Sequence, residues 1–330
     1  MRISFERQLQ PDWSELDRFA DRTLFQTRPW LDFVAEAHGA EVCVLKVWVE
    51  SQPAGYFTGL IITKLGLKIL GAPFPGWTTQ YLGFNLIDGV DRSVLLEPLA
   101  KFAFGELNCW HLELMDRRLT AEQVLSLGWK HRLFENTEVD LSGTEDEIFA
   151  NMKGSCRTSI RKAEKSGVVV EAASDDQFAD EYYRQLTEVF ARQNLRPTYG
   201  VERVRQLIKH LYPSGRLLLI RARNADGECL ATGIYPAFNG TMYFWGGASL
   251  RQFQILQPNE AIQWFAMRYW KERGMTVCDM GGGGEYKTKY GGTPLILPWC
   301  RHSRCGWVGM ARELAQRSHF AVRRVVGRSF

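Results

Sequence analysis

Four consecutive glycines, Gly281 to Gly284, are the feature that most limits what this chain can build. Such a run cannot pack a core or favour a helix, but it lets the backbone take positive φ and come close to a ligand. A strand is expected over Met275–Met280, carrying Asp279 to its end. After the glycines comes Glu285-Tyr286-Lys287-Thr288-Lys289-Tyr290-Gly291-Gly292. A tight turn there would set a cation, Lys287, between two rings beside a glycine-rich backbone. A polar substrate and a developing oxyanion both suit such a place. A solvated surface loop is the plainer reading of the same residues.

The remainder of the chain reads as ordinary folded protein. Of 330 residues, 45% are hydrophobic and 24% charged, enough for one large or two medium domains. No apolar run approaches the roughly 18 residues that a membrane-spanning helix requires. The start, Met1-Arg2-Ile3-Ser4-Phe5-Glu6, does not read as a secretory signal. Seven scattered cysteines suit a reducing compartment, so a cytoplasmic setting is expected. Cys300 and Cys305 match no common zinc spacing, and no metal is expected. Net charge is only +4, but the last thirty residues hold seven arginines against one acid, Glu313. A basic tail over 301–330 can meet anionic lipid at the inner face of a membrane, nucleic acid or a nucleotide. Phe320, Val322, Val325 and Val326 would form its apolar side; a solvated helix is the alternative.

Read in order, the chain repeats itself. Thr27, Pro29 and Gly39 bracket a helix. Strands follow over Val42–Val49, Ala54–Thr63 and Leu67–Leu70, then an aromatic loop with Trp77, Gln80 and Tyr81. A helix, Arg92–Leu107, leads to a strand that ends near Asp116. At an offset of about 174 positions the order recurs: Thr58-Gly59 aligns with Thr232-Gly233 and Gly66 with Gly240. The second copy passes Trp245 and a helix, Asn259–Arg273, into the strand that ends at Asp279. The order of elements predicts two tandem α/β domains, one over residues 1–138 and one over 139–300. Each is expected to hold a mixed, mostly antiparallel sheet flanked by helices. Early in the second, Arg157, Arg161 and Lys162 stand at i, i+4 and i+5 of a helix. They read as a binding face for a diphosphate or RNA backbone, or as a solvated basic face paired with Glu164.

Val139-Asp140-Leu141-Ser142, the helix from Arg157 to Glu164 with Gly167, Asp226-Gly227 and the Asp279–Gly292 stretch occur here in one order. In this the chain resembles the Fem-type and BioF-like branch of the GNAT superfamily of N-acyltransferases. Tyr286-Lys287-Thr288-Lys289-Tyr290-Gly291 is similar to the family's Phe-Lys-x-x-Phe-Gly. The resemblance implies two tandem GNAT-like domains with a substrate cleft. It also implies attack by an amine of a sugar, amino acid or peptide on an activated acyl group, in cell-envelope or polysaccharide assembly. The donor would be acyl-coenzyme A, placed ahead of aminoacyl-tRNA. Lys287 would face the oxyanion. Asp279 would act as a base or an orienting carboxylate, unless it only caps the glycine loop. Trp77, Gln80, Tyr81, Trp245, Tyr286 and Tyr290 would line the substrate site, with Arg157, Arg161 and Lys162 as anion contacts. Coenzyme A users carry a glycine-rich loop before the pyrophosphate-binding helix. Here Leu250–Asn259 has no glycine, and Arg251 is the residue that can supply charge. The rival reading is a non-catalytic module that binds a nucleotide sugar or RNA. Oligomeric state is open.

Overall fold

A computed structural model describes residues 2–282 and 284–314. The chain forms two compact units, one of residues up to Phe134 joined by the residues from Ile296 on, the other of Glu135–Leu295. The boundary thus falls a few residues before the expected 138/139. The described residues after 296 return to the first unit because Cys300–Ser303 pair in register with its strand at His111–Leu114. The basic tail beyond residue 314, with Phe320, Val322, Val325 and Val326, lies outside the described residues.

In the first unit the order is β1 (Ile3–Gln8), α1 (Trp13–Leu16), α2 (Arg28–His38), β2 (Glu41–Val49), β3 (Gln52–Lys64), β4 (Leu67–Ala72), β5 (Gly83–Leu86), α3 (Ser93–Gly105), β6 (Cys109–Leu114) and α4 (Ala121–Leu125). Helix α2 begins and ends as its residues dictate. Thr27 is the N-cap, a proline sits in the first turn, and Gly39 closes it in the left-handed conformation at φ 63°. The strands run β1-β2-β3-β4-β6, antiparallel except for the parallel β4–β6 pair, with β5 alongside β3. The connection from β4 to β6 passes through α3, as a parallel pair requires. Strand β7 (Lys130–Asp140) leads into the second unit.

There follow α5 (Glu145–Asn151), α6 (Gly154–Lys165), β8 (Val169–Ala172), α7 (Phe178–Ala191), α8 (Val201–Leu211), β9 (Leu217–Arg223), β10 (Cys229–Phe238), β11 (Thr241–Tyr243), β12 (Gly246–Ser249), α9 (Pro258–Lys271), β13 (Val277–Gly282), α10 (Glu285–Thr288) and β14 (Thr293–Ser303). Helix α5 opens on a capping box: Thr144 and Glu147 exchange bonds across the first turn. The sheet runs β8-β9-β10-β11-β13-β7, with β12 beside β10 and β11 parallel to β13. This is the first unit's pattern, element for element: β8 to β13 with α9 repeat β1 to β6 with α3. The two turn glycines that the repeat aligns, Gly66 and Gly240, have φ of 77° and 78°. Met242, Met267, Trp270, Cys278 and Met280 form part of the second core, between sheet and α9.

Candidate functional site

Strand β13 runs two residues further than its apolar pattern predicts. Gly282 still pairs with Asn136 of β7, and the register shifts between Asp279 and Gly282. The shift is a bulge, and Gly281 fits it by taking φ 70°, which a side chain would resist. Asp279 therefore lies inside the strand rather than at its end. It is fully buried, and its Oδ1 accepts from the Gly281 N–H at 2.7 Å. That bond is an Asx turn, a structural use of the carboxylate.

The helical turn α10 sets the angles of the motif. Residues three and four apart share a face of a helix, and adjacent residues do not. Tyr286 and Tyr290 accordingly meet, hydroxyl to hydroxyl, at 3.0 Å. Lys289, three residues on, joins them, its ammonium 4.0 Å from the Tyr286 ring centre and 5.2 Å from that of Tyr290. The cation held by the two rings is thus Lys289, not Lys287 as the turn suggested. Lys289 also pairs with Glu260, a mostly buried acid in the first turn of α9. Lys287 turns the other way and donates to the Gly282 carbonyl. It is half-buried; burial pushes its ammonium below the ordinary lysine value, against the opposing pull of Asp279. Tyr286 is 46% exposed as a residue, but its hydroxyl faces inward, and burial raises its pKa.

The glycine pair after the motif is a packing requirement. A Cβ on Gly292 would lie 2.4 Å from Thr137 Cγ2, and one on Gly291 would lie 3.0 Å from the Asn151 carbonyl oxygen. These contacts bring the turn against β7 and the end of α5.

A cavity of about 440 Å³ opens beside this turn, lined by Arg192, Tyr235, Phe244, Ser249, Asn259 and Tyr286 among others. Its walls come from the end of α7, β10, β12 and the start of α9. Leu250–Asn259 makes no glycine nest. Arg251–Leu256 is a 3-10 helix, and Gln257 takes the left-handed conformation at φ 58° before Pro258 opens α9. Arg251 is exposed and meets Glu188 through its backbone N–H. The arginine in the cavity wall is Arg192, whose buried Nε has no partner among the described residues. Sequence reading missed Arg192 because only the fold brings the end of α7 beside β12. Glu260 and Lys289 were legible in principle: an acid behind Pro258 in an otherwise buried helix needs a cation.

The other expected residues are placed otherwise. Arg157 donates to the Ala150 and Met152 carbonyls at 2.6 Å each, so it caps the end of α5, where carbonyls lack helical partners. Arg161 lies over Phe149 and Lys162 is exposed. None of the three lines the cavity. Trp245 packs on Tyr199 and Tyr182 beside the cavity rather than in its wall. In the first unit Trp77 stacks on His38 at 3.8 Å, and Gln80 is partly exposed. Tyr81 is fully buried against Phe25, a core position. Tyr290 is likewise fully buried and supports Tyr286 from behind. Among the described residues no group of three or more His, Cys, Asp or Glu is placed to hold a metal. No helix among them is long and apolar enough to cross a membrane.

Comparison with known proteins gives the same fold. Residues 150–290 match the acetyltransferase (GNAT) domain family. No curated protein matches. Among solved structures, that of FemX superposes with a TM-score of 0.70 at 15% identity, covering 91% of this chain and 97% of that one. A tandem GNAT protein from the clavulanic acid biosynthesis pathway gives 0.54 at 12% identity, over 91% and 97%. L-PGS from Bacillus licheniformis gives 0.51 at 12%, over 92% and 97%. Likeness at such identities speaks for the architecture alone.

Proposed function

We propose that this chain, whose residues 150–290 match the GNAT domain family, is a Fem-type, tandem-domain member of the GNAT superfamily, and that its second unit transfers an acyl or aminoacyl group to an amine of a sugar, amino acid or peptide. One observation carries this reading. The Tyr-Lys motif puts Tyr286 in the wall of the 440 Å³ cavity and a half-buried ammonium, Lys287, on the adjoining residue. Amide formation makes a tetrahedral centre with a negative oxygen, and a partly desolvated cation stabilises that charge far better than a solvated one. Lys287 spends one N–H on the Gly282 carbonyl and has two more to give. Asp279, close enough to act on the Lys287 charge, favours the ammonium form. The Tyr286 hydroxyl, ordered by Tyr290, is the group at hand to protonate a leaving thiolate or ribose oxygen. A binding module has no need of a half-buried ammonium one residue along the chain from a cavity wall.

The activated acyl group would enter this cavity, with Arg192 and Asn259 near its carrier. Both an acyl-coenzyme A and an aminoacyl-tRNA present an anionic carrier, and acyl-coenzyme A is the donor put first. Isothermal titration with acetyl- and longer acyl-coenzyme A is the direct test. Saturable heat that Arg192→Ala weakens supports it. Absence of heat with every thioester, alongside binding of a charged tRNA, moves the donor to the aminoacyl ester. Absence of both sinks the enzyme reading.

A further inference from the structure

A second group of reactive side chains lies in the first unit, whereas the Tyr-Lys motif belongs to the second. Strands β6 and β14 pair so that Ser303 stands opposite His111, and Arg301 opposite Glu113. Cross-strand partners share a face of the sheet, and so do residues two apart. All four side chains therefore rise on one face. Ser303 Oγ lies 2.7 Å from His111 Nδ1, and His111 Nε2 faces Glu113 Oε1 at 3.4 Å. Glu113 is fully buried and bonded by Arg312 Nε at 2.7 Å. Burial works against its charge, but His111 and Arg312 outweigh that and hold its carboxyl below the ordinary value. An ionised acid behind the ring favours the tautomer with hydrogen on Nε2, leaving Nδ1 free to accept the serine proton. The two ring nitrogens exchange the roles they have in a serine protease; the proton path is the same.

The serine is reachable. Ser303, His111 and Arg301 line a cavity of about 210 Å³ together with Lys130, Gly306 and Gly309. Helix 306–314 passes so close that a Cβ on Gly309 would lie 3.0 Å from Ser303 Oγ. Two buried polar atoms of this network have no hydrogen-bond partner among the described residues: Glu113 Oε2 and Arg301 Nε. Buried polar atoms are rarely left so, and two in one network, with Arg301 in the cavity wall, point to something that comes and goes. A buried network that served stability alone would have its members satisfied.

We propose that Ser303 is a nucleophile, with His111 as its base, Glu113 as the positioning residue, and a small activated acyl ester or thioester as substrate. Ser303 Oγ attacks the carbonyl carbon while its proton passes to His111 Nδ1. The bond from carbonyl carbon to leaving group breaks, and the leaving alcohol or thiol departs with that proton. Water then cleaves the acyl-serine ester by the same route, giving a carboxylic acid and restoring the hydroxyl. Arg301, whose guanidinium also meets the cavity-lining Glu313 at 3.8 Å, has its Nε–H left to donate to the oxyanion. The size of the cavity limits the acyl part to a short chain.

The test treats the full chain with a fluorophosphonate and maps the label by mass spectrometry, then follows hydrolysis of p-nitrophenyl acetate. We expect one label, on Ser303, and hydrolysis reduced roughly 10²-fold or more by Ser303→Ala and by His111→Gln. Glu113→Gln should lose roughly tenfold, with a shifted pH profile that a merely structural acid would not give. Ser303→Ala removes a single oxygen, so an unchanged melting temperature will show it folded, and its result stands even where His111→Gln unfolds. An unlabelled wild type, or hydrolysis that Ser303→Ala leaves untouched, overturns the proposal.

Discussion

The two units use an aspartate in the same way, one just past the end of its last parallel strand and the other inside it, and then diverge. In the first, Asp116 accepts from the Arg118 N–H at 2.9 Å; in the second, Asp279 accepts from the Gly281 N–H at 2.7 Å. Both are Asx turns two residues long, and both lead into a short helix. In the first unit that helix, α4, opens on a capping box between Thr120 and Gln123. In the second, α10 opens on Gly284 at φ 148°, with no capping side chain, and carries the tyrosines and lysines. Asp116 has none of those residues near it and makes its turn all the same. The aspartate thus belongs to the shared scaffold, and the glycines, Lys287, Lys289 and Tyr286 are what the second unit adds. A local stability device, the cap, is missing from the second helix where the proposed chemistry lies.

That contrast can be broken in several ways. The largest effect is expected from Lys287→Met, which keeps most of the bulk and removes the charge. Amide formation should fall roughly 10²–10³-fold with the melting temperature held; undiminished turnover would end the role of this lysine. Asp279→Asn keeps the turn's acceptor, so turnover should fall less than about tenfold, and Asp116→Asn should leave it alone; a loss as large as that of the lysine variant would make Asp279 catalytic and the two aspartates unlike. Lys289→Met leaves the buried Glu260 without its cation. It should cost about 3 kcal/mol of stability in thermal or urea unfolding, whereas a loss under about 1 kcal/mol would show the pair to be ornamental. Gly292→Ala forces a Cβ against Thr137 and should destabilise by about 1–3 kcal/mol; no measurable change would mean the turn can move away from β7. The smallest effect is a pH dependence. Arg221 bonds the Asp175 carboxylate and holds its pKa at about 2, below the ordinary 3.8. A depressed carboxylate stabilises the fold above its unfolded pKa and loses that as pH falls towards the folded one. Melting temperature should therefore drop between those two values by more in the wild type than in Asp175→Asn; equal slopes would remove the contribution.

The repeat was legible because it is written in punctuation that physics reads directly. Gly66 and Gly240 both take the positive φ that their alignment implies, and Thr27, Pro29 and Gly39 bracket α2 as expected. The tandem architecture and the placing of the Tyr-Lys motif after a strand also followed from residue order. Lys289, not Lys287, meets the two rings because the segment is helical, and a stretch of four glycines gives no sign that a helical turn follows. Arg157 was read as an anion contact, yet the nearest unpartnered oxygens are its own protein's carbonyls at the end of α5.

Local preference and periodicity act over a few neighbouring residues, so the sequence alone determined the elements, their order, their caps and their duplication. Burial and partner choice depend on chain segments far apart in number. Only the tertiary structure could therefore lay Arg192 beside Tyr286, give Lys289 its acid 29 positions back in the chain, and stand Ser303 opposite a histidine 192 residues away.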